Sequence, residues 1–313
     1  MTEMQSSPLV SVVLCTYNGE AYLEEQLRSV LDQTYRNLEI IAVDDVSKDN
    51  TVAILQEYAA RDARIKIFIN EQNIGLILNF EKGCKLSKGR LIALCDQDDH
   101  WLPEKIEKMV EAIGDYPMAY CDSLLCDENM QDLGKCVSDL VHYEDWVDAR
   151  QLCIFTRTYG HSVLFTRELF DKACPFRKEI PHDGWMAFNG ALYGGVKYLP
   201  EALVKYRQHA GNVSGVVGRK WKKKKKPWLE RKREALARAR NQLQTYYDIC
   251  PDELAPQKKL LRDLLDSYRS FSLWNNTKRM FLYFANYKRI LVVKRYSTFR
   301  KYLFCLKMFV IIK

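Results

Sequence analysis

A chain of 313 residues with 47% hydrophobic and 28% charged residues can bury a sizeable core, and this composition excludes a wholly disordered protein. The formal net charge of +8 is unevenly spread: residues 1–218 carry 22 Lys and Arg against 33 Asp and Glu, whereas residues 219–313 carry 26 against 7. An acidic body is thus followed by a strongly basic region, whose charge predicts an anionic partner, either a membrane surface or a nucleic acid.

Strands and helices alternate in the predicted first hundred residues. Short β-branched or apolar runs predict buried strands, and apolar residues at helical spacing lie between them. The predicted strands are residues 9–15, 38–43, 65–69 and 91–95, and the predicted helices are residues 23–31, 52–58 and 76–86. This alternation indicates an α/β fold in which helices cover both faces of a mostly parallel, Rossmann-like sheet.

Polar residues concentrate where three of these strands end, at residues 16–19, at Asp44-Asp45 and at residues 96–99. In open parallel sheets, ligands bind beyond the carboxyl ends of the strands. The three polar turns therefore predict one binding edge.

Beyond residue 115 the pattern loosens, and beyond Gly218 it changes to long helices. The predicted elements are strands at 162–166, 196–199 and 202–206, a helix at 185–192, and C-terminal helices at 228–247, 253–273 and 277–285. We therefore expect a domain of residues 1–218 and a basic helical region of residues 219–313.

The segment Asp96-Gln97-Asp98-Asp99 directly follows an apolar strand. Three carboxylates within four residues repel one another, so a cation would stabilise them. Hard oxygen ligands suit Mg²⁺ or Mn²⁺, which complete their coordination with phosphate oxygens. The alternative is a solvated acidic loop that caps the helix beginning near Pro103.

Four blocks of sequence, in order, resemble the family-2 inverting glycosyltransferases of GT-A fold over about residues 9–215. The blocks are SVVLCTYNG at 11–19, SVLDQTY at 29–35, VDD at 43–45 with Ser47, Asp49 and Thr51, and DQDD at 96–99 followed by Trp101. The last block has the form common among rhamnosyltransferase-like members. The resemblance implies that residues 9–100 bind a nucleotide sugar and that residues 115–218 form the acceptor side.

The resemblance implies roles for the donor-binding turns. Thr16 and Tyr17 would flank the base and ribose, with Asn18 in the same turn. Asp45 would accept a hydrogen bond from the base, whereas Asp44 would be structural or lie on the ribose side. Val46 departs from the family, which usually has Gly or Asn there.

It also implies the reactive groups. Asp98 and Asp99 would hold a divalent cation, Mn²⁺ or Mg²⁺, with Asp96 on the ribose or behind the ligands. His209 would be a further ligand.

Asp183, in the segment His182-Asp183-Gly184-Trp185, would be the catalytic base, although it could instead only cap a helix. Arg207 could pair with the donor diphosphate or form a structural ion pair.

The basic region predicts peripheral attachment to an anionic membrane. The run from Lys220 to Trp228 combines lysines with two tryptophans, and residues 302–312 form an apolar run too short to span a bilayer. No nucleic-acid fold signature accompanies the basic residues. Ten scattered cysteines and a polar N-terminus suggest a reducing compartment, so we expect the protein at the cytoplasmic, inner face of the plasma membrane.

Other functions fit the sequence less well. A haloacid-dehalogenase-type phosphotransferase would need Thr or Val soon after its second aspartate, and a dinucleotide oxidoreductase would need Gly-x-Gly-x-x-Gly; neither pattern is present. A non-catalytic sugar-nucleotide-binding or membrane scaffold protein stays open, although Asp98, Asp99 and Asp183 are intact. The resemblance implies a UDP- or dTDP-sugar donor, with dTDP-rhamnose as one candidate, and the basic tail favours a glycan or lipid-linked glycan acceptor of a bacterial surface polysaccharide. The sequence does not fix which sugar is transferred, the identity of the acceptor or the oligomeric state.

Overall fold

A computed structural model describes residues 7–155, 158–209, 211–212, 227–292 and 294–310. The chain divides into two compact units, the first comprising residues 1–139 and 158–216 and the second comprising residues 140–157 and 217–313. The lysine run 220–226, Ser214 and Gly218 lie outside the described residues.

The first unit begins with four parallel strands arranged in the order β3-β2-β1-β4. They are β1 (Val10–Thr16), β2 (Leu38–Asp44), β3 (Ile65–Ile69) and β4 (Leu91–Cys95), separated by α1 (Leu23–Leu31), α2 (Thr51–Arg61) and α3 (Leu76–Leu86). Every residue of β1, β2 and β4 is buried. That burial explains why their sequences are continuous apolar runs without alternation, as in sheets covered on both faces.

Alternate residues of β1 face opposite layers of helices, because side chains of a strand alternate in direction. Val12 and Leu14 join a core with Leu27 of α1. Val13 faces α3, where a Cβ added to Gly83 would come within 2.3 Å of it. The predicted α/β class is confirmed, and the helix at residues 76–86 has the predicted bounds.

The rest of the first unit extends the sheet into a mixed arrangement. Its elements are β5 (His100–Trp101), α4 (Lys105–Ile113), β6 (Met118–Cys126), β7 (Asp132–Cys136), β8 (Val163–Thr166), α5 (Arg167–Ala173), α6 (His182–Leu192) and β9 (Val196–Arg207). The strand order is β3-β2-β1-β4-β8-β6-β9-β5, with β7 paired to β6. Because β8 is antiparallel to β4, the residues that precede β8 lie beside the carboxyl end of β4.

Strand β9 corrects one prediction. Residues 196–199 and 202–206 were expected to be two strands, yet they belong to a single strand that pairs with β6 on both sides of Pro200 and Glu201. The register shifts after Leu199, so Pro200 and Glu201 occupy a bulge. A bulge accommodates proline because no ladder hydrogen bond from its nitrogen is required there.

Among its described residues, the second unit contains four α-helices, α7 (Trp228–Ile249), α8 (Ala255–Ser267), α9 (Leu273–Ile290) and α10 (Thr298–Lys307). Residues 140–155 belong with them rather than with the first domain, to which the sequence assigned them. Phe155, for example, packs edge-on against Phe304 at a centroid distance of 5.8 Å. Arg279 is fully buried in this unit and donates to the carbonyl oxygens of Ser267 and Met308.

Within the described residues, none of the helices is long and apolar enough to cross a bilayer. All ten cysteines are described, and each is a free thiol.

Candidate functional site

The turn after β1 is bound to the loop after β2 through Asp44. The Thr16 hydroxyl donates to Asp44 Oδ1 at 2.8 Å, and the Ser47 backbone N–H donates to Asp44 Oδ2 at 2.8 Å. Asp44 is fully buried. Of its two expected roles, this geometry favours the structural one, because neutral donors of the protein already occupy the carboxylate.

Asp45 organises the loop that follows β3. Its carboxylate accepts hydrogen bonds from Asn70 Nδ2 at 2.7 Å and from the backbone N–H groups of Ile74 and Gly75, both at 2.8 Å. Only 3% of the residue is exposed. The role of Asp45 as an acceptor for the nucleotide base stays a prediction.

Residues 17–19 connect the loop after β2 to residues 96–99, which we call the acidic segment. Gln97 accepts from the Tyr17 N–H at 2.8 Å and donates to the Tyr17 carbonyl at 3.1 Å. A Cβ on Gly19 would lie 2.2 Å from Gln97 Oε1, so a larger residue here would require the Gln97 side chain to move. Asn18 Oδ1 accepts from the Lys48 N–H at 2.8 Å, and the Tyr17 side chain is 47% exposed. The three polar turns therefore form one continuous edge, with Tyr17 open to solvent.

Asp98 meets His209 at the rim of this edge. Asp98 Oδ2 lies 2.7 Å from His209 Nε2, and the two side chains are 17% and 12% exposed. The His209 ring also packs on Tyr22, with ring centroids 4.7 Å apart. We call Asp98 and His209 the rim pair.

Asp99 turns away from the rim and faces His161. Asp99 Oδ2 lies 3.0 Å from His161 Nδ1, and the side chains are 0% and 1% exposed. Asp99 Oδ1 accepts from the Arg207 N–H at 3.0 Å, whereas Oδ2 is buried without a well-directed hydrogen bond. Burial disfavours the charged imidazole, but the facing carboxylates outweigh it and raise the pKa of His161. We call Asp99 and His161 the buried pair.

Among the described residues, one group of three potential metal ligands comes together, namely Asp96, Asp99 and His161, with ligand atoms within 4.8 Å of one another. The expected ligands Asp98, Asp99 and His209 instead divide between the rim pair and the buried pair. Carboxylate and imidazole ligands, with an orphaned oxygen on Asp99, fit a divalent cation at this edge.

The guanidinium of Arg207 is fully engaged by the protein. It donates to the carbonyl oxygens of Asp98 at 2.9 Å and Glu128 at 2.6 Å, forms an ion pair with Glu25, and lies over the Tyr22 ring. The residue is 3% exposed. Of its two expected roles, the geometry favours the structural ion pair over contact with a diphosphate.

Asp183 lies in the first turn of α6, with its Oδ1 2.7 Å from the N–H of Gly184. Burial raises the pKa of Asp183, and the charge of Asp96 raises it further. Neighbouring His182 is buried, with Nε2 lacking a partner among the residues described. The carboxyl group is therefore electrostatically close to the acidic segment and readier to hold a proton than an ordinary aspartate.

The sequence did not identify His161, Ser123 or Lys105. Ser123 Oγ lies 2.9 Å from His161 Nε2, and Lys105 Nζ donates to the His161 carbonyl at 2.8 Å. Burial lowers the pKa of Lys105 to about 8. The available signal was Gly160-His161, directly before the strand predicted at residues 162–166, since polar residues also gather where a strand begins.

The sequence of this chain is similar to those of known glycosyltransferases. The model of the family described as Glycosyl transferase family 2 matches residues 11–163. An uncharacterized glycosyltransferase of Haemophilus influenzae is 32% identical over 229 residues, which cover 68% of this chain and 69% of that protein. The putative glycosyltransferase EpsH of Bacillus subtilis is 32% identical over 69% of this chain and 65% of its own length.

A shorter match joins this chain to TuaG of Bacillus subtilis, a putative teichuronic acid biosynthesis glycosyltransferase. The two are 42% identical over 104 residues, which cover 33% of this chain and 41% of TuaG.

Solved structures share the fold. S. aureus TarS 1–349 in complex with UDP-GlcNAc has a TM-score of 0.57 at 18% identity, covering 83% of this chain and 87% of that one. The mannosyltransferase PcManGT from Pyrobaculum calidifontis, in complex with GDP-Man and Mn²⁺, has a TM-score of 0.53 at 16% identity, covering 96% and 80%. The first unit therefore has the GT-A type of fold, and helices follow it.

Proposed function

Because the chain belongs to glycosyl transferase family 2, we propose that it transfers a sugar from a nucleotide diphosphate donor to an acceptor hydroxyl with inversion. The observation that carries this proposal is the single sheet edge on which the Tyr17 turn, the acidic segment and two imidazoles meet. An edge of this kind offers a stacking aromatic, cation ligands and a base to one substrate.

The rim pair would hold Mn²⁺ or Mg²⁺, and Asp96, two residues before Asp98, is also partly exposed. When bound, such an ion neutralises the charge that develops on the diphosphate leaving group. Imidazole ligation favours Mn²⁺ somewhat. PcManGT was solved with Mn²⁺, which supports testing that ion first.

Asp183 takes the proton from the acceptor hydroxyl in this proposal. Its raised pKa brings the carboxylate closer to the operating pH, which makes it a stronger base than an ordinary aspartate. Thr16, Tyr17 and Asn18 position the base and ribose of the donor, and Asp45 accepts from the base. The acceptor oxygen then attacks from the face opposite the leaving group, so the anomeric configuration inverts.

A UDP- or dTDP-sugar is the proposed donor, and dTDP-rhamnose is the first to test because of the resemblance in the DQDD block. The likeness to TuaG, a putative teichuronic acid biosynthesis glycosyltransferase, supports a role in bacterial surface polysaccharide assembly, with a glycan or lipid-linked glycan acceptor.

The test is hydrolysis or transfer from a panel of UDP- and dTDP-sugars with Mn²⁺, with Mg²⁺ and with EDTA. We expect turnover of at least one donor that requires the metal. Thermal stabilisation by a nucleotide sugar without turnover of any donor would instead support a non-catalytic binding protein.

The second unit supports a proposed membrane attachment at the cytoplasmic, inner face of the plasma membrane. Leu273, Trp274, Phe281 and Phe299 are each more than 60% exposed, on helices that also carry Lys and Arg. Exposed apolar and aromatic residues among basic ones are typical of interfacial helices.

Sedimentation with vesicles tests this attachment. We expect the full chain to bind phosphatidylglycerol vesicles and not phosphatidylcholine vesicles, and Trp274→Ser with Phe281→Ser to weaken binding without loss of donor stabilisation. Equal sedimentation of the wild-type protein with both vesicle types would contradict the electrostatic part of the proposal.

A further inference from the structure

Two carboxylate–imidazole pairs lie on consecutive residues of the acidic segment, and they differ in burial. The rim pair is partly open, at 17% and 12% side-chain exposure. The buried pair is closed, at 0% and 1%. Of the two neighbouring aspartates, Asp98 thus faces solvent and Asp99 faces the core.

Burial separates the functions that the two pairs can have. Mg²⁺ and Mn²⁺ sites of this kind retain waters and take substrate phosphates, so the ion itself must face an open position. The rim pair borders solvent directly. Asp99 and His161, with 0% and 1% side-chain exposure, lie behind it on the protein side.

His161 is held on several sides, which a loosely placed surface histidine would not be. Its Nε2 is 2.9 Å from Ser123 Oγ, its carbonyl accepts from Lys105 Nζ at 2.8 Å, and its ring packs on Tyr206 at a centroid distance of 4.4 Å. The remaining nitrogen, Nδ1, is 3.0 Å from Asp99 Oδ2 and 3.7 Å from Asp96 Oδ2. A rigid ring therefore presents one nitrogen to two carboxylates.

We propose that His161 is a positioning residue, which fixes Asp99 and Asp96 from the protein side and thereby orients Asp98 toward the metal and donor. This inference rests on the proposed function. Groups that orient metal ligands change metal affinity about 10- to 100-fold when they are removed, without binding the ion themselves.

Two substitutions distinguish the contacts of the two ring nitrogens of His161, because each retains an amide near only one of them. His161→Asn retains an N–H near the position of Nδ1, toward Asp99 and Asp96. His161→Gln places its amide near Nε2, toward Ser123, and loses the contact with the carboxylates. His209→Ala serves as the comparison for a direct ligand, and Asp115→Asn, on the exposed surface of the same unit, serves as the control.

Mn²⁺ affinity in the presence of UDP, measured by calorimetry, is the main readout, with kcat, KM and the metal-free Tm measured in parallel. We expect His161→Gln to weaken Mn²⁺ binding about 10- to 100-fold, and His161→Asn to restore it to within about threefold of wild type. His209→Ala should lose more affinity than either, and Asp115→Asn should match wild type.

Equal Mn²⁺ affinity for wild type and His161→Gln would overturn the positioning role while leaving the proposed function intact. Equal losses in His161→Asn and His161→Gln, with matching falls in metal-free Tm, would overturn it in favour of a packing role. Abolished binding in His161→Gln with unchanged binding in His209→Ala would make His161 the ligand itself. A wild-type protein that neither binds Mn²⁺ nor turns over any donor would overturn both proposals.

Discussion

Two acidic pairs stand at the carboxyl ends of the two strands that flank β1, Asp44-Asp45 at the end of β2 and Asp98-Asp99 after β4, yet the protein surrounds them differently. Backbone N–H, hydroxyl and amide groups, all neutral donors, satisfy Asp44 and Asp45. Asp98 and Asp99 face imidazoles, and one oxygen of Asp99 lacks a directed hydrogen bond.

This difference in hydrogen-bond partners shows that carboxylates at a binding edge serve two purposes. The pair after β2 holds loops together, because a buried carboxylate with three donors fixes the segments that supply them. The pair after β4 is incomplete within the chain, because clustered carboxylates repel one another until a cation is present. Substitutions in the two pairs should therefore affect different properties, stability in one and turnover in the other.

Asp98→Asn should have the broadest effect, because it is expected to impair metal binding as well as turnover. We expect kcat to fall at least about 100-fold, because the rim pair would lose its anionic ligand. The metal-free Tm should not fall, since the substitution removes one of three mutually repelling carboxylates. Full activity of this variant, or turnover by the wild-type protein in chelator, would contradict the contrast between the two acidic pairs, because no cation would then be needed at the acidic segment.

Asp183→Asn should lower kcat by about 10²- to 10⁴-fold while leaving donor affinity unchanged, because a general base acts only on the acceptor proton. Calorimetric titration of the donor and steady-state kinetics would separate the two quantities. Donor affinity that falls in parallel with kcat would place Asp183 on the donor side instead.

The pH dependence of wild-type kcat/KM sharpens that assignment. Burial raises the pKa of Asp183, and the base acts only when it is deprotonated, so activity should decline as the pH falls through a value above that of an ordinary aspartate. Asp183→Asn should lack this acidic limb. A decline that begins only below the ordinary aspartate value would contradict the assignment.

Asp45→Asn should mainly reduce stability. Its new NH₂ group must face at least one of the N–H donors that the carboxylate now accepts, which leaves a buried donor unsatisfied at a cost of about 1–3 kcal/mol. Urea unfolding would measure the loss, with Asp115→Asn as the matched exposed change. An unchanged midpoint would show that this pair does not hold the loops.

Val46→Asn should have the smallest effect, and of opposite sign. Val46 has φ of +66°, a conformation that costs a β-branched residue about 1–2 kcal/mol and that asparagine tolerates. We expect a gain of about 1 kcal/mol in unfolding free energy. Val147→Asn, at an exposed position without positive φ, provides the control and should show no gain.

Local patterns predicted much of the first sheet. Strands β3 and β4 and helix α3 begin and end at the predicted residues. For β4 the reason is that a buried parallel strand is a continuous apolar run with polar turns at both ends. Long segments after residue 115 were harder to predict. Besides the adjacent β7, strand β6 pairs with β8 and β9, which are distant in sequence, and its bulged pairing with β9 leaves no local signal.

The candidate site divides in the same way. The sequence identified Asp96, Asp98 and Asp99, because they follow an apolar run, and it identified His209 only through resemblance. It missed His161, whose place depends on the antiparallel pairing of β4 with β8. In that pairing Ala93 lies opposite Leu164, and three residues further along the register His161 lies opposite Asp96. The segment 140–157, assigned by position to the first domain, groups with the helices of the second unit.

Local sequence was enough to predict where polar turns follow buried strands, how helices alternate with those strands, and how charge differs between the two regions of the chain. These properties depend on neighbours within a few residues along the chain. The three-dimensional fold was needed to establish which imidazole faces which aspartate and which acidic pair the protein completes. Those contacts depend on antiparallel registers between distant strands, which are fixed by the packing of whole sheet faces.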